Sequence, residues 1–505
     1  MAFSLTMSLY CLALAITIPL RPAVAAGAPL QIALQSFPPG RGDPFSFQIV
    51  PSVLVYTAIF DSLTEFDSEG RLQPALATAW DRITPTRWRF TLRRNVTFSN
   101  GEAFDAAAVV AALDYLGTTE GRATRGALLF ANVKSARADG PDAVVFDTGT
   151  ADPILPRRMA AFRIPAPKKL AAVGMAQFAR DPVGTGPFMV ERWADAAIAL
   201  SAAPQAWRKP VTPALNMRLI PEATSRLQAL LSGAADIAYA LDPDSESTLI
   251  GGGGRMIVEA SASNMVIALR SNIDGPLRDV RVRRALNYAV NKQAMVDTLM
   301  GGRSVVASQP VPISVPGADQ TLTPYEYAPD TAKRLLTEAG YPNGFKMTME
   351  LSSSSGSNSK AVFQMVAADF ARVGIEATIR LLPNTETLRR ILQGGWEGEA
   401  FEMTQDAMPM LDALSPFRYT SCNWPGQWYC DPAATPLVEA AERELNEAKR
   451  ADMIRALLRR YRDDAPMIYL FRLANFTGLA ANIDGYESPF GLVSYLHVHR
   501  VETKR

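Results

Sequence analysis

Hydrophobic positions in this chain switch between two periods, and the switch is clearest from residue 330 to residue 381. Leu335 and Leu336 lie in a stretch that Asp330 is placed to cap and that Gly340 and Pro342 end, which predicts a helix. Phe345, Met347, Met349 and Leu351 then recur at every second position, the period of a strand with one buried face. Val362, Met365, Val366 and Phe370 return to helical spacing, and Ile375, Ala377, Ile379 and Leu381 alternate again after Gly374. Strand, helix and strand in that order predict a parallel pair inside an α/β domain. A second unit runs from a helix over residues 225–232, closed by Gly233, into Ile237, Ala238 and Tyr239. Trp88, Phe90 and Leu92, followed by Val96 and Phe98 around Arg93, Arg94 and Asn95, predict short strands joined by a turn in a more β-rich, antiparallel portion. Residues 251–254 and 352–359 are glycine- and serine-rich and predict surface loops or linkers, and no repeat at solenoid periods is present.

Length and the first residues change this picture. A chain of 505 residues exceeds one ordinary core and suggests roughly three packing units. Arg21 is the only charge in the first 26 residues, the stretch from Leu9 to Leu20 is almost wholly apolar, and Ala23, Val24, Ala25 and Ala26 follow. That pattern predicts a signal peptide over residues 1–26, cleaved near Ala26, against the competing reading of a buried N-terminal helix. Tyr10 before Cys11 argues against a lipid attachment site. Beyond this leader no stretch approaches the apolar length of a membrane helix. Without Arg21 the chain carries 50 basic and 50 acidic residues, so no basic field favours nucleic acid as a partner.

Export leaves Cys422 and Cys430, which either close a small disulfide loop in an oxidising compartment or stay as two buried thiols. A zinc site lacks the further ligands it needs. The two histidines, His497 and His499, share one strand face and offer weak metal affinity at most, so no metal and no cofactor are expected. The commonest catalytic constellations are missing: there is no Gly-x-Ser-x-Gly elbow, no His-Glu-x-x-His and no histidine before residue 497. A Ser/Lys or paired-carboxylate hydrolase is the enzyme reading left open. A binding role without turnover is the expectation.

Several segments then occur in an order of their own. They are Val55-Tyr56-Thr57-Ala58-Ile59-Phe60-Asp61-Ser62-Leu63, Leu72-Gln73-Pro74-Ala75-Leu76-Ala77 with Trp80, and Trp88-Arg89-Phe90-Thr91-Leu92-Arg93 leading to Val96-Thr97-Phe98-Ser99-Asn100-Gly101. Pro182-Val183-Gly184-Thr185-Gly186-Pro187-Phe188 and Asp279-Val280-Arg281-Val282-Arg283-Arg284-Ala285-Leu286-Asn287-Tyr288-Ala289 follow. Read by themselves, Gly184 to Pro187 are turn chemistry without the lysine of a phosphate loop. In the last segment Val282, Leu286 and Ala289 line one helix face, Arg281, Arg283 and Arg284 read as a solvated face, and Asn291 is placed to cap a second helix ending at Gly301 and Gly302. Together the segments resemble the extracytoplasmic solute-binding proteins of ABC transporters, the dipeptide-, oligopeptide- and nickel-binding family known as family 5.

The resemblance implies a two-lobed α/β fold of the periplasmic-binding-protein kind, with a hinge and an extra β-rich subdomain. It places a discontinuous lobe I at residues 27–52, 185–263 and 479–505, the β-rich subdomain at 53–184 and lobe II at 264–478. It implies a monomeric periplasmic protein that captures a di- or oligopeptide or similar solute between its lobes and presents it to permease subunits in the inner membrane. Opines, glutathione-like peptides, oligosaccharides and metal chelates are the other solutes it admits, and a periplasmic chaperone or signalling subunit is the other role. Relatives carry an aspartate that meets the ligand's ammonium group, and Asp406 falls at that place, with Asp412 as the fallback. Here Glu402-Met403 replaces the usual Gly-Trp pair and the Asp-Pro that normally follows is missing, so an ordinary capping carboxylate is the competing reading. Tyr419, Trp424, Trp428 and Tyr429 are either a rigid pocket wall or a core around the cysteine pair. Arg389, Arg390 and Arg418 are the cations available for a ligand carboxylate or for solvent.

Overall fold

A computed structural model describes residues 27–46, 50–353 and 357–501. The expected signal peptide lies outside these residues. Among the described residues the fold is built on a ten-stranded mixed sheet. Its strand order, from one edge, is Glu376–Leu382, Lys346–Ser352, Ala400–Asp406, Arg255–Leu269, Met467–Leu479, Ile237–Ala238, Leu30–Leu34, Ala214–Leu219, Ala197–Ala202 and Phe188–Trp193. The predicted strand, helix, strand unit is its outer part: Lys346–Ser352 runs parallel to Glu376–Leu382, and the helix Ser357–Ala371 connects them. Ile237–Ala238 runs parallel to Leu30–Leu34 after the helix Ala223–Leu231.

Two long strands carry the sheet from one half to the other. Arg255–Leu269 and Met467–Leu479 are antiparallel, and their ladder shifts register twice, by one residue between Met265 and Val266 and more widely in the middle. Ala260 pairs with Ala474, but the next pair is Asn264 with Arg472, so three residues, 261–263, oppose the single residue Leu473. A mismatch of this kind removes ladder hydrogen bonds and lets the strands bend, and it stands where a hinge between halves belongs.

The β-rich portion is a four-stranded antiparallel sheet in the order Ala77–Thr84, Arg87–Leu92, Ala143–Thr148, Val133–Ala138, packed on the helix Ala106–Gly117. The sequence expectation of a turn from Trp88 to Phe98 is corrected here. Arg87–Leu92 pairs with Ala77–Thr84 and Ala143–Thr148, while Thr97 bridges only to Ala103. Arg157 ties this portion to the far half by donating to Met410 O and Leu411 O, both at 2.9 Å, with its guanidinium over the Phe66 ring. Phe66 accordingly packs into the second of two hydrophobic clusters, with Phe401, Trp428, Tyr429, Tyr461 and Tyr469.

Three further local expectations change. The helix Pro329–Glu338 is entered from Ala328, so Asp330 lies in its first turn, where a carboxylate still favours the exposed N–H groups. Ser357 to Ser359, expected in a loop, begin the helix Ser357–Ala371. Arg283 is not solvated: it is buried, donates to Asp464 O, Leu277 O and Arg278 O, and pairs with the Asp464 carboxylate at 2.9 Å. Asn291 does cap the helix Lys292–Leu299, accepting from Ala294 N at 3.1 Å.

Candidate functional site

The cavity that stands out lies against the two crossing strands, beside the break in their ladder, with a volume near 810 Å³. Its walls come from the segment Thr57 to Ser68, from Arg208, from Ile257 to Ala260 and from the C-terminal stretch Tyr486 to His497. Ser314 and Arg472 close it from beyond the break. A pocket of this size suits a small organic solute.

One wall is fixed by the segments that the sequence singled out. The Asp61 carboxylate is 3% exposed and accepts from Thr185 Oγ1 at 2.9 Å, Trp207 Nε1 at 2.8 Å and Arg208 Nη2 at 2.5 Å. Arg208 Nη1 reaches on to Glu65 at 2.8 Å. Gly184 and Gly186 flank Thr185 for a steric reason: a Cβ at Gly184 would stand 2.1 Å from Ile59 O, and one at Gly186 2.5 Å from Ile59 C. The turn therefore lies flat on the backbone after Tyr56, and the Gly186 N–H donates to Ile59 O. With Asp61, Glu65 and Arg208 answering one another, this wall serves as a rigid frame.

The hinge side is different. Glu259 is 8% exposed, lines the large cavity and also an adjoining recess of about 260 Å³, and has no cation within ion-pairing distance among the described residues. The Tyr486 hydroxyl donates to its Oε1 at 2.5 Å. Burial pushes its carboxyl up to about 7, and hydrogen bonding from Tyr486 and Ser488 offsets only part of that. Tyr239 and Tyr495 stand behind, their hydroxyls 3.4 Å apart, and burial pushes all three phenols up, so they stay protonated. Arg472 is half-buried. Its Nε donates to Ser261 O at 2.8 Å, and burial pulls its guanidinium below the ordinary value with no carboxylate to counter it.

None of Asp406, Arg418, Tyr419, Trp424, Trp428 or Tyr429 lines this cavity. Asp406 ends the strand Ala400–Asp406 opposite Ser263, next to the ladder break. Its Oδ1 accepts from Met408 N at 2.8 Å, and burial pushes its carboxyl up to about 6. Asp412 is held in a buried two-pronged pair with Arg450, at 2.9 and 2.8 Å. Trp428 and Tyr429 are core: Trp428 meets Phe401 edge-on, and the Tyr429 hydroxyl donates to Asp464 Oδ2 at 2.6 Å. Trp424 donates to Ile391 O at 2.9 Å and meets Tyr419 edge-on, while Arg418 lies over both rings. Cys422 and Cys430 form a disulfide that closes this aromatic loop. Arg389 pairs with Glu386, and Arg390 is buried among Glu350, Glu386 and Glu397. Among the described residues no group of three or more metal-binding side chains gathers. Sequence reading missed Glu259 and Arg472. The available signal is that each is a lone charge deep inside an otherwise uncharged run, from Met256 to Leu269 and from Met467 to Leu479.

Residues 71–424 match the model of the bacterial extracellular solute-binding proteins, family 5. The chain is 28% identical over 411 residues to the glutathione-binding protein GsiB of Salmonella choleraesuis, covering 76% of each chain, with the same identity and coverage for its counterpart in Escherichia coli K12. Among solved structures it is similar to NikA of Brucella suis in complex with Fe(III)-EDTA, with a TM-score of 0.82, 23% identity, and 92% and 99% of the two chains covered. It is also similar to the periplasmic binding protein DppA of Helicobacter pylori in complex with the peptide STSA, at a TM-score of 0.78, 22% identity and coverage of 94% and 98%.

Proposed function

Since the chain belongs to the bacterial extracellular solute-binding proteins of family 5, we propose that it is the periplasmic receptor of an ABC-type importer and takes a di- or oligopeptide, or a peptide-like solute, into the cavity at the crossing strands. The observation that carries this reading is the place of the cavity: about 810 Å³ of space lies beside the break in the ladder between Ala260 and Asn264, with wall residues on either side of that break. Residues 27–52, 185–263 and 479–505 make one lobe, with residues 53–184 as its β-rich subdomain, residues 264–478 make the other, and residues 1–26 serve as the export leader. Hinged closure about residues 261–263 and Leu473 buries the solute, and the closed form is what the permease reads. Relatives named for glutathione and for a bound tetrapeptide support a peptidic solute. Turnover has no part in this scheme.

The test is native mass spectrometry of protein purified from the periplasm, followed by calorimetric titration and small-angle scattering with whatever co-purifies. Binding at micromolar Kd or tighter, worth about 8 kcal/mol or more, with a contraction in radius of gyration is expected. A solute that is chemically altered, or one that leaves the scattering curve unchanged, refutes the proposal.

A further inference from the structure

Two of the charges on the cavity wall stand on the crossing strands, one on either side of the ladder break, and neither has an ion-pair partner among the described residues. Glu259 lies on the first crossing strand, on the near side of the ladder break, where it pairs with Asn475. Arg472 lies on the second crossing strand, on the far side of the break, where it pairs with Asn264. The other charged side chains on the wall stand differently: Asp61 and Glu65 pair with Arg208, Asp67 pairs with Arg71, Arg163 lies over the Tyr56 ring, and Glu487 is exposed to solvent. Glu259 has no cation, and no carboxylate acts on Arg472. The Arg472 Nε is anchored on Ser261 O, which leaves both terminal nitrogens of its fork without a partner among the described residues. An unpaired acid and an unpaired base, both withdrawn from bulk water and facing one space, each carry a desolvation cost that only an incoming opposite charge offsets.

We propose that Glu259 and Arg472 are the charge-reading pair of the cavity, Glu259 receiving a cationic amine and Arg472 a carboxylate of the same solute. The ligand is then a zwitterion with both termini free, which excludes neutral sugars and fully acylated peptides. This rests on the solute-binding reading above and narrows it. Three strand positions separate Asn475, the partner of Glu259, from Arg472, which places the two α-carbons about 10 Å apart along the strand direction. That spacing suits a short peptide stretched between them. Tyr486 keeps the Glu259 carboxylate turned toward the cavity through its 2.5 Å bond, and the planar fork of Arg472 matches a carboxylate in two-pronged fashion. Because the two residues stand on opposite sides of the break, one molecule that satisfies both also fastens the two halves together. Recognition and closure become a single event.

The test compares three pools made from one casein hydrolysate: untreated, N-acetylated and methyl-esterified. Each is offered at pH 8 to the full exported protein and to Glu259→Gln, Arg472→Lys and Asp406→Asn, with bound species read by native mass spectrometry and affinity by calorimetry on a peptide so identified. For the wild type, either block should weaken binding by at least about tenfold, the lower end of what a desolvated charge-assisted hydrogen bond supports. Glu259→Gln should bind free and acetylated forms alike, and Arg472→Lys should lose most of its preference for the free carboxylate over the ester. Asp406→Asn should keep both preferences. Melting curves of the variants verify that each is folded. Blocked peptides bound as well as free ones by the wild type overturn the proposal, and so does a Glu259→Gln protein that still rejects the acetylated pool. Failure of the wild type to hold any peptide from any pool instead refutes the solute-binding reading beneath it.

Discussion

Glu259→Gln should make the ligand-free protein more stable at pH 8 and leave it nearly unchanged at pH 4.5. Burial holds the Glu259 proton up to about pH 7, against an ordinary value of 4.5. Between those two values the folded protein keeps a proton that the unfolded chain releases, so stability falls as pH rises through the window and levels off above it. At about 1.4 kcal/mol per pH unit, the ionised carboxylate costs the fold about 3 kcal/mol by pH 8. Glutamine has no proton to lose and still presents an oxygen to the Tyr486 hydroxyl, so it removes this cost. With an unfolding entropy of about 2 cal/mol/K per residue, a chain of 505 residues loses about 1 kcal/mol per degree near its midpoint, which makes the expected gain about 3 °C in Tm. Differential scanning calorimetry of both proteins, stripped of ligand by unfolding and refolding and scanned from pH 4.5 to 8, measures it. A Tm difference that does not change with pH, or a variant less stable at pH 8, refutes the reasoning. The sign is the informative part, since loss of an ordinary buried hydrogen bond lowers Tm.

Other outcomes follow from the same structure. Affinity for a zwitterionic peptide should weaken about tenfold from pH 8 to pH 6 in calorimetric titration, because the proton on Glu259 competes with the amine, and the dependence should vanish in Glu259→Gln. Asp412→Ala strands the Arg450 guanidinium in the interior and should cost about 3 to 5 kcal/mol in urea unfolding, with Asp412→Asn intermediate. Replacing Cys422 and Cys430 together by serine opens a short loop and should cost about 2 to 3 kcal/mol by the same measurement, without change in peptide affinity because the loop is not part of the cavity wall. Gly184→Ala should destabilise by about 3 kcal/mol or prevent folding, since its methyl group has no room beside Ile59 O, and Gly184→Ser should behave no better.

The sequence alone determined what local physics controls. The alternation of Met347, Met349 and Leu351 and the helical spacing of Val362, Val366 and Phe370 specify a strand, helix, strand unit whatever surrounds them, because each pattern has one face to bury. Asn291 caps its helix because a side-chain oxygen at that offset meets a free N–H within three residues. The ordered segments from Val55 to Ala289 likewise carried the family, and with it the two-lobed fold. The tertiary structure decided what depends on neighbours far along the chain. Arg283 read as solvated because an arginine on a helix usually is, yet Asp464, 181 residues away, draws it inside. Trp428 and Tyr429 read equally as wall or core until Phe401 and Tyr461 closed over them. The cavity brings Glu259 together with Arg472, 213 positions later, and no local pattern records whether a charge in a strand has found its opposite. Burial and pairing are properties of assembled elements, and electrostatic energy depends on distance in space, not on distance along the chain.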